Sequence, residues 1–217
     1  MKELRVRVTL TEQMLGTCAA DPSVHATYIA SKAPDAKSRE EEIEALGADA
    51  VFEKSMTIFL RDENGDPALW NYQIKGFLKA AASALSRCKG EKFSKATCAI
   101  KAHRKVIDTN VFVEPRILKI HMPEGGEIGI CQRPLRASTA QGERIALSSS
   151  ESVPAGSWIE FTIVCLSDSH VDAVIEWLDY GRYSGLGAWR NSSMGTFSYE
   201  IIDEGENITD NKTSGVA

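Results

Sequence analysis

The sequence has no run near the roughly 18 to 20 consecutive apolar residues that a membrane span requires. Its start, Met1-Lys2-Glu3-Leu4-Arg5-Val6, alternates like a strand and lacks the regions of a signal peptide. A cytoplasmic protein with no membrane partner is expected. The cysteine spacing of a zinc ribbon or redox dithiol is also missing. Cys18, Cys88, Cys98, Cys131 and Cys165 are odd in number and scattered, and they never form C-x-x-C. They are read as reduced packing residues, and no metal or cofactor is expected. H-E-x-x-H, G-x-S-x-G and G-x-x-x-x-G-K-[ST] are all absent, which removes the zinc-protease, hydrolase and P-loop signatures.

What is present is ordinary globular material: 217 residues, 43% hydrophobic and 25% charged, enough for one domain with embellishments. The net charge of -5 conceals an asymmetry. Residues 75 to 119 carry eleven cations against Glu91, Asp108 and Glu114, a net of +8, which leaves -13 for the remainder. Such a distribution suits a polyanion-facing surface on an acidic body, the alternative being a solvated basic face without a ligand.

Leu4, Val6, Val8 and Leu10 alternate with polar residues and predict a first strand. A loop over residues 16–34 and a short charged helix from Pro34 to about Leu46 read as an insertion, about 16–54. Met56-Thr57-Ile58-Phe59-Leu60 predicts a second strand, and Asn64-Gly65 a hairpin turn. Ile74, Phe77, Leu78, Ala81, Ala82 and Leu85 follow three-and-four spacing and predict a helix from Asn71. The basic segment after it is ambiguous. Val111-Phe112-Val113 and Ile117-Leu118-Lys119-Ile120 are strand pieces that Pro115 places at an edge. Residues 128–138 and 145–150 flank a second hairpin. Trp158 to Val164 is a strand, followed by a helix capped by Asp168 or Ser169 with Val171, Val174, Ile175 and Leu178 as its apolar face. Thr196 to Ile201 is the last strand. The expected organisation is a single domain, 1–203, with an acidic flexible tail, 204–217.

Three segments in order carry a resemblance. Arg61-Asp62-Glu63-Asn64-Gly65-Asp66-Pro67 leads into Ile74-Lys75-Gly76-Phe77-Leu78-Lys79. Pro154-Ala155-Gly156-Ser157 turns into a strand. Tyr180-Gly181-Arg182-Tyr183-Ser184-Gly185-Leu186-Gly187-Ala188-Trp189-Arg190 closes on Gly195-Thr196-Phe197. Together, over about residues 55 to 203, they resemble the RAMP superfamily, in particular the backbone subunits of type III CRISPR effector complexes. The resemblance implies an α+β fold: a ferredoxin-like, RRM-related split βαβ sheet with helices on one face. It also implies a role in holding single-stranded RNA, often by subunits stacking along it.

On that resemblance the expected nucleic-acid contacts are Lys75, Lys79, His103, Arg104, Lys105, Arg182, Tyr183, Gly185, Gly187, Trp189 and Arg190. Glycines permit close backbone approach to a phosphate, arginines supply charge, and Tyr183 and Trp189 offer stacking faces. A loop packed structurally on the sheet is the alternative reading of the glycines. No catalytic residue is assigned. In cleaving members of the family the insertion carries an aspartate, and Asp21, Asp35 and Asp49 are available without diagnostic neighbours. His25, His103, His121 and His170 are the acid-base candidates, with His103 foremost for its basic surroundings. The leading expectation is a non-catalytic protein that binds single-stranded RNA, or single-stranded DNA, as a homo-oligomer or ribonucleoprotein subunit in antiviral defence. The alternatives are an endoribonuclease, and a phage or mobile-element protein that uses the scaffold for protein interaction.

Overall fold

The structure is a computed structural model and describes residues 1–20, 56–89, 91–139 and 142–206. The expected insertion helix, His25, Asp21, Asp35, Asp49 and the end of the acidic tail lie outside the described residues. In chain order the strands before the first helix are β1 (Lys2–Leu10), β2 (Met14–Leu15), β3 (Cys18–Ala19), β4 (Thr57–Ile58), β5 (Leu60–Arg61) and β6 (Pro67–Trp70). Helices α1 (Asn71–Leu85), α2 (Lys95–Ala99) and α3 (His103–Asn110) follow, then β7 (Val111–Glu114) and β8 (Ile117–Lys119). The chain continues through β9 (Gly129–Thr139), β10 (Gly142–Val153), β11 (Trp158–Cys165), α4 (Val171–Asp179) and β12 (Phe197–Glu206).

This is a mixed α+β chain with three sheets. The central one is antiparallel, in the order β12-β1-β11-β7. Period-two alternation on β1 sends Leu4, Val6, Val8 and Leu10 into the core and Arg5, Arg7 and Thr9 to the other face. Helices α1 and α4 cover the apolar face: Ile74, Phe77, Leu78 and Leu85 of α1 join Val174, Trp177 and Leu178 of α4 in one cluster with β1. The four large α1 side chains contribute about 6 to 12 kcal/mol of burial at about 1.5 to 3 each. The long β9–β10 hairpin belongs to the second sheet and β5-β6-β8 is the third.

Several expectations are corrected. The run from Met56 to Leu60 splits into β4 and β5 because the amide of buried Phe59 donates to the Glu151 carboxylate at 2.9 Å. Helix α4 has no side-chain cap: Asp168 faces the Met1 amino group and Ser169 pairs with Ser167. Its buried face is Ala173, Val174, Trp177 and Leu178, while Val171 and Ile175 are only half-buried. The ambiguous basic segment folds as α2 and α3. The Glu176 carboxylate on α4 accepts from the Ala96 and Thr97 amides at 2.8 Å each and from the Thr97 hydroxyl at 2.6 Å, satisfying free donors at the start of α2. Strand β12 runs to Glu206, opposite Lys2. Among the described residues no helix is long and apolar enough to cross a membrane.

Candidate nucleic-acid interface

Helices α1 and α3 pack against each other, and the basic segment becomes one groove between them. Lys75, Lys79 and Ser83 recur along α1 at four-residue spacing and so share one side of the helix, and Arg87 follows in the turn just past its end. From Lys75 to Ser83 the helix rises about 12 Å, at about 1.5 Å per residue. From α3, His103 and Arg104 reach the same hydroxyl: Ser83 Oγ lies 3.1 Å from His103 Nε2 and accepts from Arg104 Nε at 3.3 Å. Ser83, Ser86, Arg87, His103, Arg104 and Lys105 line an open cleft of about 430 Å³, and among the described residues no carboxylate lines it.

The other end of the groove is differently charged. Lys79 forms an ion pair with Asp108, and the Lys75 ammonium donates to the Asp108 carbonyl oxygen at 3.3 Å. The hydrogen bond from Lys79 holds the Asp108 carboxyl below the usual carboxylate range, while burial lowers the Lys75 pKa against the opposing pull of Asp108. Lys75 also sits 5.0 Å above the Phe112 ring, and Arg116 lies 5.3 Å above Trp70, which stacks against the exposed Tyr72. Asn71, Lys75, Phe112, Glu114, Arg116 and Thr162 line an open cleft of about 630 Å³ at the β7 edge, where the helical layer meets the open sheet face. Phe112, Arg116, Trp70 and Tyr72 are absent from the expected contacts. Arg116 and Lys75 were legible as charge, but their aromatic partners depend on tertiary pairing.

The glycine-rich loop is a separate place. A Cβ on Gly185 would lie 1.9 Å from the Gly195 carbonyl carbon, and one on Gly181 would lie 2.2 Å from the Phe197 ring. Gly187, at φ +79°, presses on the Leu15 carbonyl oxygen, and Ala188 donates to that oxygen at 3.1 Å. The loop therefore packs against the corner after β1, and close approach of chain to chain accounts for Gly185 and Gly187. Arg182 pairs with Asp179 at 3.4 Å and Tyr183 is exposed near the end of α1. Trp189 carries the Arg133 guanidinium 4.9 Å above its ring, while Arg133 Nε and Nη1 are buried without hydrogen-bond partners. Arg190 is exposed. Lys75, Lys79, His103, Arg104 and Lys105 are thus brought together, while Trp189 joins the β9–β10 hairpin instead.

The open face of the central sheet satisfies its own charges. Glu160 pairs with Arg5 at 2.9 Å and Arg7 at 2.6 Å, and Arg7 also reaches Glu200 at 3.1 Å. Trp158 is stacked by His121 at 3.8 Å and has Arg7 4.7 Å over its ring. Burial lowers the His121 pKa below its ordinary value. Among the described residues no group of three or more His, Cys, Asp and Glu could hold a metal ion.

No protein-family model matches the chain, and no curated protein shows a significant match. Among solved structures, the chain is similar to a chain of the cryo-EM structure of the Type III-B Cmr-beta bound to cognate target RNA. The TM-score is 0.48 at 10% identity, and the match covers 94% of this chain but only 60% of that one.

Proposed function

We propose that this chain is a non-catalytic protein that binds single-stranded RNA, built on a ferredoxin-like fold of RAMP type. The observation that carries the reading is the α1–α3 cleft: Arg87, Arg104 and Lys105 converge with His103 and two serine hydroxyls, with no carboxylate among the described residues that line it. Guanidinium, ammonium and hydroxyl donors on one side of a groove that runs along α1 match the phosphates of an extended strand. The central strand order and the placement of α1 and α4 on one face support the fold assignment. The three ordered sequence segments support the RAMP assignment and, with it, a role as a backbone subunit of a CRISPR effector.

Fluorescence anisotropy with a labelled single-stranded RNA tests the reading. Three phosphate contacts give a slope near -2.1 on a log-log salt plot, so affinity falls about 20-fold between about 50 and 200 mM salt. Arg104→Ala lowers the slope by about 0.7. Absence of binding at low salt, or binding indifferent to salt and to Arg104→Ala, would sink the proposal. The RNA emerges intact from prolonged incubation; new ends would make the protein an endoribonuclease.

A further inference from the structure

The last turn of α1 has two flanks, and only one faces the basic groove. On the other lies a second pocket of about 520 Å³, within the range of about 300 to 1,000 Å³ usual for ligand sites. Leu85 and Tyr180 form its inner wall, and Phe93 and Tyr183 stand at its mouth. Phe93 is 57% exposed and Tyr183 71%, so neither ring contributes a packed core contact. Large aromatics clustered at an open pocket mark a binding surface.

Charge decides what the pocket can take. Both carboxylates that line it, Glu176 and Asp179, are already engaged. Glu176 accepts from the Ala96 and Thr97 amides, and Asp179 accepts from Arg182 at 3.4 Å and from the Tyr199 hydroxyl at 3.2 Å. Arg182 lines the pocket itself, and the segment that leads from α1 to Phe93 exposes Arg87, Lys89 and Lys92 against Glu91. An apolar aromatic slot bordered by cations fits a flat ring joined to a phosphate. We infer that the Phe93–Tyr183 pocket receives a nucleobase of the strand whose phosphates lie in the α1–α3 groove. The strand crosses the last turn of α1 near Arg87 and turns one base onto the two rings. This rests on the proposed RNA binding, yet it adds a site with its own ligand chemistry.

Two measurements on the full chain separate the claims. Saturation-transfer NMR with AMP reports the pocket alone, through signal on the adenine ring protons. Anisotropy with a single-stranded RNA reports pocket and groove together. Wild-type protein gives adenine signal. Phe93→Ala and Tyr183→Ala abolish it and weaken RNA binding about 5-fold or more each, the effect of removing one base-aromatic stack. Tyr183→Phe, which keeps the ring, retains both. Arg104→Ala loses RNA affinity and keeps the adenine signal. No adenine signal on wild type, or RNA binding that is unchanged in Phe93→Ala and Tyr183→Ala, overturns the pocket and leaves the groove standing. Adenine signal without RNA binding overturns the groove and, with it, the claim that the pocket serves that strand. The wild-type NMR arm decides even where a variant fails to fold.

Discussion

Two glycines in the segments that carry the RAMP resemblance should respond in opposite directions to alanine. At Gly185 an added methyl would lie 1.9 Å from the carbonyl carbon of Gly195, 2.0 Å from its oxygen and 2.2 Å from the Thr196 nitrogen. All three are backbone atoms, so the loop must move, and in doing so it strains the bonds from Leu186 to the Gly195 oxygen at 2.9 Å and from Gly195 to the Gln13 oxygen at 2.8 Å. Overpacking of this kind costs about 1 to 3 kcal/mol, and backbone atoms put it at the upper end. About 3 kcal/mol in a chain of this size lowers Tm by about 6 to 12 °C. Gly76 sits inside α1 with nothing within 4 Å of the position its Cβ would take. Alanine there restricts the unfolded chain and favours the helix, adding about 1 kcal/mol and 2 to 4 °C. Circular-dichroism melts of Gly185→Ala and Gly76→Ala beside wild type measure both shifts. A Gly185→Ala protein melting within a degree of wild type would refute the packing account of the loop and reopen its glycines to a ligand role.

Three further expectations follow from the charge and thiol chemistry. Glu176→Ala leaves the Ala96 and Thr97 amides without their acceptor and should cost about 2 kcal/mol in a urea titration. The hydrogen bond from Arg7 holds Glu160 below its ordinary pKa, so its stabilising contribution is complete above the usual glutamate value and is lost as pH falls through the lowered one. Glu160→Gln should therefore flatten the acid limb of a Tm-versus-pH curve, and an unchanged limb would place the titrating carboxylate elsewhere. Burial pushes the Cys165 thiol up to about 11, whereas Cys98 is exposed. Ellman's reagent at mildly alkaline pH should modify Cys98 in the native protein and reach Cys165 only on unfolding.

How much the sequence revealed depends on the range of the interactions involved. Helix α1 was legible because Ile74, Phe77, Leu78, Ala81, Ala82 and Leu85 write its buried face in local spacing, and the Gly65 turn because its φ of +83° demands glycine. Helices α2 and α3 were not. Ile107 is the one buried residue of α3, and α2 takes its acceptor from Glu176, eighty residues away. The candidate site divides the same way. Its cations were visible as a run of charge, but Phe93 and Tyr183 line one pocket whose walls come from distant segments. Gly185 and Gly187 were read for close backbone approach to a ligand, whereas the missing Cβ of each admits close contact with backbone of this chain.

Position in the fold determines which cations can serve a strand of RNA. Because β1 alternates, Arg5 and Arg7 lie on the sheet face opposite α1, so a strand crossing both surfaces has to round a sheet edge, and Lys75 and Phe112 stand at the β7 edge. The two arginines already share Glu160, and Arg7 also holds Glu200. A phosphate would have to break those ion pairs before gaining anything, and the exchange of one anion for another releases few counterions. Arg104 has no such partner among the described residues; it contacts the Ser83 hydroxyl and remains exposed. Arg7→Ala should therefore leave the salt slope of RNA binding at the wild-type value, whereas Arg104→Ala reduces it by about 0.7. Equal reductions in the two variants would mean that the open sheet face takes up the strand after displacing its own carboxylates, and that the groove is only one part of a path around the β7 edge.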